Sequence, residues 1–203
     1  MNLPVLALLI VVPLLLYFSM VWYFFPAFYS SQSDRSQGLP IITQAGFDVS
    51  SASSANPISF YITAFNQGQT TDIQIVSVSF PNLSGDISKE EIDPARGYVK
   101  VKDHNFTQSP LFVATGDTVG KAYSGGAETT TAKYPSIEFF SRPWKAKVGY
   151  SATLEISANS DGRFLVLVKA ISLPHFDKSS HYPQKGFKDY QQEFVDIYPI
   201  YIK

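Results

Sequence analysis

The feature that most constrains this chain is its leading segment, because residues 1–33 contain no Asp, Glu, Lys, Arg or His. Residues 3–28 form a nearly continuous run of apolar and aromatic side chains. A helix of this length would rise about 39 Å, which exceeds the ~30 Å hydrocarbon core of a bilayer. The run therefore predicts a transmembrane helix over residues 1–29. We expect it to kink at Pro13, whose nitrogen cannot donate a backbone hydrogen bond.

A cleaved secretory leader is the alternative interpretation of this segment. Such leaders have a basic start, an apolar core of 7–15 residues and a small-x-small cleavage site. Here the start carries no Lys or Arg, and the apolar run is much longer. The small-x-small option near its end is Ser31-Gln32-Ser33. We therefore expect an uncleaved signal-anchor rather than a removed leader.

The second half of the run carries aromatic rings at helical spacing. Four of them follow one another at intervals of four, three and four residues: Phe18, Trp22, Phe25 and Tyr29. This spacing places them on one face of a helix. One interpretation is an interfacial belt, because amphipathic rings prefer the headgroup level. The other is a face that packs against a partner helix or a hydrophobic quinone.

Composition and two short motifs favour a location outside the cytoplasm for the rest of the chain. Charged residues make up 16% of the sequence, against the ~25% that is usual in soluble proteins. Such a surface changes little at an acidic exterior, because few of its groups titrate. Asn82 and Asn105 each begin an N-x-S/T sequon and are glycosylation candidates. We expect a single-pass protein of the cell membrane with its C-terminal domain outside.

Chemistry-bearing residues are few. The chain has no cysteine, which excludes disulfides, thiol catalysis and Cys-held iron–sulfur clusters. One loop cluster, formed by His175, Asp177 and His181, has donors that could hold a borderline metal, although such loop residues usually cap turns. The net charge of −1 gives no basis for nucleic-acid binding. We expect no cofactor, no resident metal and no catalysis by this chain alone.

After a polar linker at residues 30–38, residues 39–203 are dominated by alternation of apolar and polar side chains. This pattern predicts strands at 58–64 and 72–80 that pair through a turn, with a bulge near Val76 where the apolar phase shifts. It also predicts a hairpin of residues 152–158 with 164–170.

Further predicted elements are shorter. Strands are expected at residues 41–49, 98–103, 111–115, 136–141 and 195–202. Pro199 marks the last of them as an edge or broken strand. Residues 88–95 predict a brief helix, and residues 115–135 and 175–190 predict two loop insertions. Eight or so short strands indicate one all-β domain at 39–203, an antiparallel β-sandwich of immunoglobulin-like or cupredoxin-like kind.

One stretch of this domain carries a family resemblance. The sequence Ala152-Thr-Leu-Glu-Ile-Ser-Ala-Asn-Ser-Asp-Gly-Arg-Phe-Leu-Val-Leu-Val-Lys169, in a Cys-free domain behind one span, resembles small extracytoplasmic subunits of archaeal quinone-linked respiratory complexes. These are the small subunit of thiosulfate:quinone oxidoreductase and the copper-less subunit II of quinol oxidases. The resemblance implies a non-catalytic accessory subunit with polytopic membrane partners in the lipid bilayer, and a quinone near the helix.

A second stretch points to a different class. Residues 58–80, with Phe65-Asn66-Gln67-Gly68 at their turn, resemble the sandwich domains of archaeal surface-filament anchor proteins, which have the same one-span layout. This resemblance implies a cell-surface binding module that holds a filament or the envelope lattice. The sequence leaves both functions open, and we favour the accessory subunit at this point because the aromatic run exceeds what a plain tether requires.

Overall fold

The structure is a computed structural model that describes residues 11–17, 19–20, 38–53, 56–83, 85–88, 91–94, 97–121, 128–158, 161–173 and 178–203. The chain divides into two compact units, Met1–Ser36 and Gln37–Lys203. In the first unit, residues 11–17 and 19–20 are helical. Within the described part of the chain, no helix has the length and hydropathy needed to cross a bilayer. The transmembrane helix over residues 1–29 falls mostly outside that part and stays a prediction.

The second unit is built almost entirely from strands. The described strands, in chain order, are β1 Pro40–Phe47, β2 Ser51–Ala52, β3 Ile58–Asn66, β4 Ile73–Ser79, β5 Gly85–Ser88, β6 Glu91–Pro94, β7 Gly97–His104, β8 Leu111–Val113, β9 Thr118–Gly120, β10 Thr129–Thr131, β11 Ser136–Ser141, β12 Gly149–Ala158, β13 Gly162–Leu173, β14 His181–Tyr182, β15 Phe187–Lys188 and β16 Phe194–Ile202. A 3-10 turn at Lys178–Ser180 precedes β14.

These strands form an antiparallel β-sandwich. The first sheet has the order β1-β3-β12-β7-β6-β5, and the second has the order β15-β16-β13-β4-β11-β8. In the second sheet, β14 also pairs with β13, and β2 pairs in parallel with β16. Strands β9 and β10 form a separate two-stranded ribbon. The all-β sandwich expected from the sequence is confirmed at this level.

One hydrophobic core lies between the two sheets. Strand β3 alternates buried and half-buried residues along its whole length, which is the pattern of a strand with one face on a core. Phe60 from the first sheet and Val78 and Phe139 from the second are fully buried members of the same cluster. Burying each such side chain contributes about 1.5–3 kcal/mol. Trp144 is a fully buried member of the same cluster, and it donates its Nε1 hydrogen to Val148 O at 2.8 Å.

Both predicted hairpins are wrong, because the strands of each pair lie in opposite sheets. Strand β3 pairs with β1 and β12, whereas β4 pairs with β11 and β13. Likewise, β12 pairs within the first sheet and β13 within the second. All four strands exist as the alternation predicts, but two strands that each need one buried face can also satisfy that need by facing each other across a core.

The crossing from β3 to β4 is fixed by the buried side chain of Asn66. Its Nδ2 donates to Gln69 O at 2.7 Å and to Trp144 O at 3.2 Å. Its Oδ1 accepts from the main-chain nitrogens of Leu39 and Gly68, each at 3.1 Å. One amide side chain thus satisfies main-chain groups of three chain segments and holds the turn between the sheets.

The predicted bulge near Val76 is also wrong. Strand β4 keeps a regular register with both neighbours, and Gln74, Val76 and Val78 all face the core side. The apparent phase shift arose because Gln74 is a polar residue at a fully buried position, where its Nε2 donates to Thr71 Oγ1 at 2.7 Å. The register shifts of the first sheet lie elsewhere, between Ile42 and Gln44 in β1 and opposite Thr153 of β12.

Residues 88–95 do not form the predicted helix in their described part. Strands β5 and β6 occupy this segment and pair antiparallel, with Ile87 opposite Ile92, and β6 continues the sheet onto β7. Pairing with β7 outweighs the weak helical preference of a short acidic run.

The shorter predicted strands are confirmed as β1, β7, β8, β11 and β16. Within the described residues, Pro199 faces Leu165 of β13 and has no strand on its other side, as expected for an edge position.

Candidate binding pocket on the outer face of the second sheet

The outer face of the second sheet is covered. In β13, Leu167, Lys169 and Ile171 point away from the core, yet each is at least nine-tenths buried. The cover at the pocket comes from residues 117–121, in the first of the two segments predicted as loop insertions, and from the turn at residues 189–193, which starts at the end of the second. They approach each other where Gln191 Nε2 lies 3.5 Å from Gly120 O.

Between this cover and the sheet lies a pocket of about 390 Å³. Its sheet side is apolar, with Ile75, Phe140 and Ile171 among the lining residues. Leu111 and Val119 line it from the β8–β9 side. Because such outward residues are otherwise polar in a sandwich, their apolar character reflects the cover rather than the core.

A row of polar residues crosses the sheet beside these apolar walls. Lys169 of β13 is the register partner of Ser77 in β4, and Ser77 is the register partner of Glu138 in β11. Side chains at paired positions project on the same face of a sheet. All three line the pocket, as does Glu193 from the cover.

Lys169 is buried and uses all three of its ammonium hydrogens. Its Nζ donates to Asp189 Oδ2 at 2.7 Å, to Gln191 Oε1 at 2.6 Å and to Glu193 Oε2 at 2.5 Å. Burial alone would lower the pKa of Lys169, but the adjacent carboxylates of Glu193 and Asp189 outweigh it, so the pKa lies above its ordinary value. Lys169 therefore carries a positive charge that its neighbours already neutralise.

The three acceptors are held in place by a tight turn. Asp189 Oδ1 accepts from Gln191 N at 2.8 Å and from Glu193 N at 3.1 Å. Asp189 N donates to Glu193 O at 2.8 Å. Gln192 adopts a φ of 68° at the apex, in the left-handed region that side chains other than glycine seldom occupy. Asp189 thus shapes the turn with one carboxylate oxygen and binds Lys169 with the other.

Glu138 is the second acidic group of the pocket. Its Oε1 accepts from Ser77 Oγ at 2.8 Å and from Ser136 Oγ at 2.7 Å. Burial raises the pKa of Glu138 above its ordinary value, and the two serine hydroxyls and the charge of Lys169 oppose that rise.

Glu193 also brings a carboxylate to the pocket. Its side chain is 4% exposed, and its Oε1 is buried with no hydrogen-bond partner in the part of the chain that the structure describes. An unsatisfied buried carboxylate oxygen costs about 1–3 kcal/mol or more. The pocket therefore combines apolar walls with two acidic side chains, and Glu193 has one carboxylate oxygen that no described residue satisfies.

Most of the sequence-predicted site residues cannot be placed. The aromatic face of Phe18, Trp22, Phe25 and Tyr29, and the metal candidates His175 and Asp177, lie outside the described residues. His181 is buried in β14, with its ring stacked on that of Phe194 at 6.3 Å. In the described part of the chain, no three His, Cys, Asp or Glu residues are grouped to hold a metal ion.

The two sequon asparagines are both described and differ in their bonding. Asn82 uses both ends of its amide, because Nδ2 donates to Arg163 O at 3.1 Å and Oδ1 accepts from Leu165 N at 2.8 Å. Asn105 uses only its oxygen, which accepts from Ser151 N at 2.7 Å. Neither residue lines the pocket.

Sequence reasoning missed the residues of the pocket, although signals for them exist. Lys169 is a single charged residue inside the apolar run 165–171, on a strand that is otherwise buried. Asp189, Gln191 and Glu193 follow at alternate positions of one short segment. A lone charge in a buried strand requires partners, and that segment supplies three acceptors.

Comparisons with known proteins give structural likenesses only. No known family model and no curated protein matches the chain. AvmM, which catalyses macrocyclisation in alchivemycin A biosynthesis, is 8% identical with a TM-score of 0.38, over 83% of this chain and 89% of that one. The second type II cohesin module of the adaptor ScaA scaffoldin of Acetivibrio cellulolyticus is 10% identical with a TM-score of 0.36, over 73% and 84% of the two chains.

The collagen-binding domain of a Staphylococcus aureus adhesin is 5% identical with a TM-score of 0.33, over 82% of this chain and 97% of that one. At such TM-scores these likenesses carry no argument about function. The function has to be inferred from the pocket itself.

Proposed function

We propose that this protein is a surface binding module, an immunoglobulin-like sandwich held at the outer side of a membrane by its N-terminal apolar segment. The observation that supports the binding role is the covered pocket on the second sheet. Filament or envelope-lattice proteins are the partner class that fits the outward location expected from the sequence.

The construction of the pocket supports a binding role over a purely structural one. Ile171 is buried on the outer face of the sheet, yet a space of about 390 Å³ lies beside it. Protein interiors are ordinarily packed without voids of this size, whereas ligand sites commonly measure about 300–1,000 Å³. Leu111 at the pocket is 54% exposed, so one side of the lining is accessible from solvent.

The accessory-subunit function remains a prediction from the sequence. It depends on contacts of Phe18, Trp22, Phe25 and Tyr29, which are outside the described residues. No described contact favours it over the surface module, and the pocket gives the surface module a site. Subunits of a respiratory complex are therefore an alternative identity of the partner.

Photo-crosslinking tests the proposal on the full chain. A benzoylphenylalanine at Leu111 in nanodisc-reconstituted protein is exposed to the envelope fraction of the source cells. Tyr201 is a matched control position, because it is 57% exposed on the same sheet but does not line the pocket. We expect a discrete adduct with a surface protein from position 111 and not from position 201.

Equal adducts from both positions, or none from either, would contradict the proposal. An adduct with a polytopic haem or quinone protein would favour the accessory subunit instead. Mass spectrometry of the adduct distinguishes these outcomes.

A further inference from the structure

The bonding inside the pocket indicates what kind of group it accepts. Lys169 donates to three acceptors and has no hydrogen left for a ligand. An anionic ligand would therefore find no free donor on this lysine. It would also approach the carboxyl groups of Glu138 and Glu193, which line the same pocket.

The charges lead to the same conclusion. Among the groups of the cluster, Lys169 brings one positive charge, and Asp189 and Glu193 bring two negative charges. Ionised Glu138 adds a third. The cluster is thus net negative, and no donor among the described residues reaches the buried Oε1 of Glu193. A buried carboxylate oxygen of this kind requires an N–H or O–H group, and a cationic donor also compensates the charge.

The walls restrict the rest of the ligand. Ile75, Phe140 and Leu173 line the pocket from the sheet side, and a hydrated metal ion would make no favourable contact with them. An alkyl stem would bury its methylene groups there, which favours binding through the hydrophobic effect. Lysine-like groups have this build, an apolar stem that ends in an ammonium.

We propose that the pocket binds a primary alkylammonium group, with its nitrogen donating to Glu193 Oε1 and to the carboxylate of Glu138 and its alkyl stem on the apolar wall. This inference rests on the proposed binding function and names the chemistry that the site recognises. The same group is supplied by a lysine side chain of a partner protein or by a free amine.

Calorimetric titration of the full chain in nanodiscs tests the chemistry. The probes are n-butylamine and Nα-acetyl-lysine methylamide, and their controls are n-butanol and Nα-acetyl-norleucine methylamide, which have the same stems without the ammonium. We expect both amines, or butylamine alone, to bind at least about tenfold more tightly than their controls, since the controls lack the charged donor that the carboxylates bind. Binding of both indicates a partner's lysine, and binding of butylamine alone indicates a free amine.

A matched pair of variants localises the binding. Glu138→Gln keeps an oxygen for Ser77 and Ser136 but removes the charge, and it is expected to weaken amine binding at least about tenfold. Glu155→Gln is the control, because Glu155 lies on β12 of the other sheet and accepts from Tyr98 Oη. Thermal melting shows that both variants fold. Proton release on binding, seen as buffer-dependent heat at a pH where the unliganded Glu138 is protonated, is a further readout, since burial raises the pKa of Glu138.

Equal binding of amines and controls, no binding of either amine, or an unchanged affinity in Glu138→Gln would overturn this inference. These failures are separable from failure of the proposed function. A Leu111 adduct without amine binding would support the proposed binding module and refute only the assignment of an ammonium ligand. Amine binding without any adduct would indicate a small-molecule site and would refute the proposed surface partner.

Discussion

Lys169 Nζ lies 2.7 Å from Asp189 Oδ2, and neither side chain is more than 7% exposed. The two residues belong to different structural layers, since Lys169 is part of the sheet and Asp189 part of its cover. Their ion pair therefore attaches the cover to the sheet at a fixed point. Because Glu193 binds the same nitrogen, the attachment involves both ends of the turn at residues 189–193.

Replacing Lys169 by Met is expected to destabilise the protein by about 3–5 kcal/mol, because it leaves the carboxylates of Asp189 and Glu193 buried without a counter-charge. Urea unfolding followed by circular dichroism measures the change. Lys102→Met is the control, since Lys102 is exposed on β7. A loss below about 1 kcal/mol for Lys169→Met would show that the cluster does not hold the cover.

Alkaline pH should weaken the same attachment. The pKa of Lys169 in the folded protein is raised above the ordinary value of 10.5. For a base, a raised folded pKa gives stability that is complete below the unfolded pKa and is lost as pH rises through the folded one. The melting temperature of the wild type should therefore fall above about pH 10.5. Lys169→Met lacks the titrating ammonium, so its melting temperature should fall less over the same pH range.

Tyr190 adds to this alkaline effect, because burial raises its pKa to about 12. The variant Tyr190→Phe removes that contribution and keeps the ring beside Tyr134, whose centroid is 5.1 Å away. If the wild type and Lys169→Met lose stability in parallel up to pH 12, the assignment of this effect to Lys169 is wrong.

Glu138 should also make stability fall as pH rises, but in the acidic to neutral range. Its folded pKa is raised by burial, so its ionisation costs stability above that pKa, and the cost disappears as pH falls to the ordinary value of 4.5 or below. Glu138→Gln should therefore stabilise the empty protein at neutral pH, within the ~0.5–2 kcal/mol usual for single stabilising changes. Melting curves of both proteins from pH 4 to 8 should converge at the acid end. A difference that is independent of pH would contradict the ionisation mechanism.

The fold could be predicted from the sequence strand by strand but not sheet by sheet. Alternation identified β3 and β11 because residues facing a core must be apolar at every second position. It contains no information on which strands become neighbours, so the chain neighbours β3 and β4 were paired wrongly. Gln74 added an error, because it is a polar residue at a fully buried position, where its Nε2 donates to Thr71 but its Oε1 has no partner among the described residues.

The pocket was less predictable than the strands. Its polar members are separated in the sequence, with Glu138, Lys169 and Glu193 on three different segments. Each has an ordinary interpretation when it is considered alone. Only the register that places Glu138 and Lys169 on either side of Ser77 brings them together, and that register is a long-range property of the sheet.

The variant Asn66→Ala should lower the free energy of unfolding by about 2–4 kcal/mol. The buried amide satisfies main-chain groups at Leu39, Gly68, Gln69 and Trp144. Each lost hydrogen bond contributes ~0.5–1.5 kcal/mol, or more when a buried partner is left unsatisfied. Urea unfolding again measures it. Asn105→Ala is the matched control, since Asn105 is exposed and accepts one hydrogen bond. Similar losses in the two variants would show that Asn66 does not fix the crossing between the sheets.

The two sequons should differ in occupancy if the domain is glycosylated after folding. The glycan is attached to the asparagine Nδ2, and in Asn82 this nitrogen donates to Arg163 O while the oxygen accepts from Leu165 N. In Asn105 only the oxygen is engaged, so its nitrogen is accessible without breaking a contact. We expect glycan at Asn105 and none at Asn82 in protein purified from the source cells, as measured by glycopeptide mass spectrometry. Occupancy at Asn82 equal to that at Asn105 would contradict this expectation and would mean that the sugar is added before the Asn82 contacts form. In that case Asn82→Asp, which replaces the donor facing Arg163 O by an acceptor, should lower the stability of the domain without changing the glycan occupancy at Asn105.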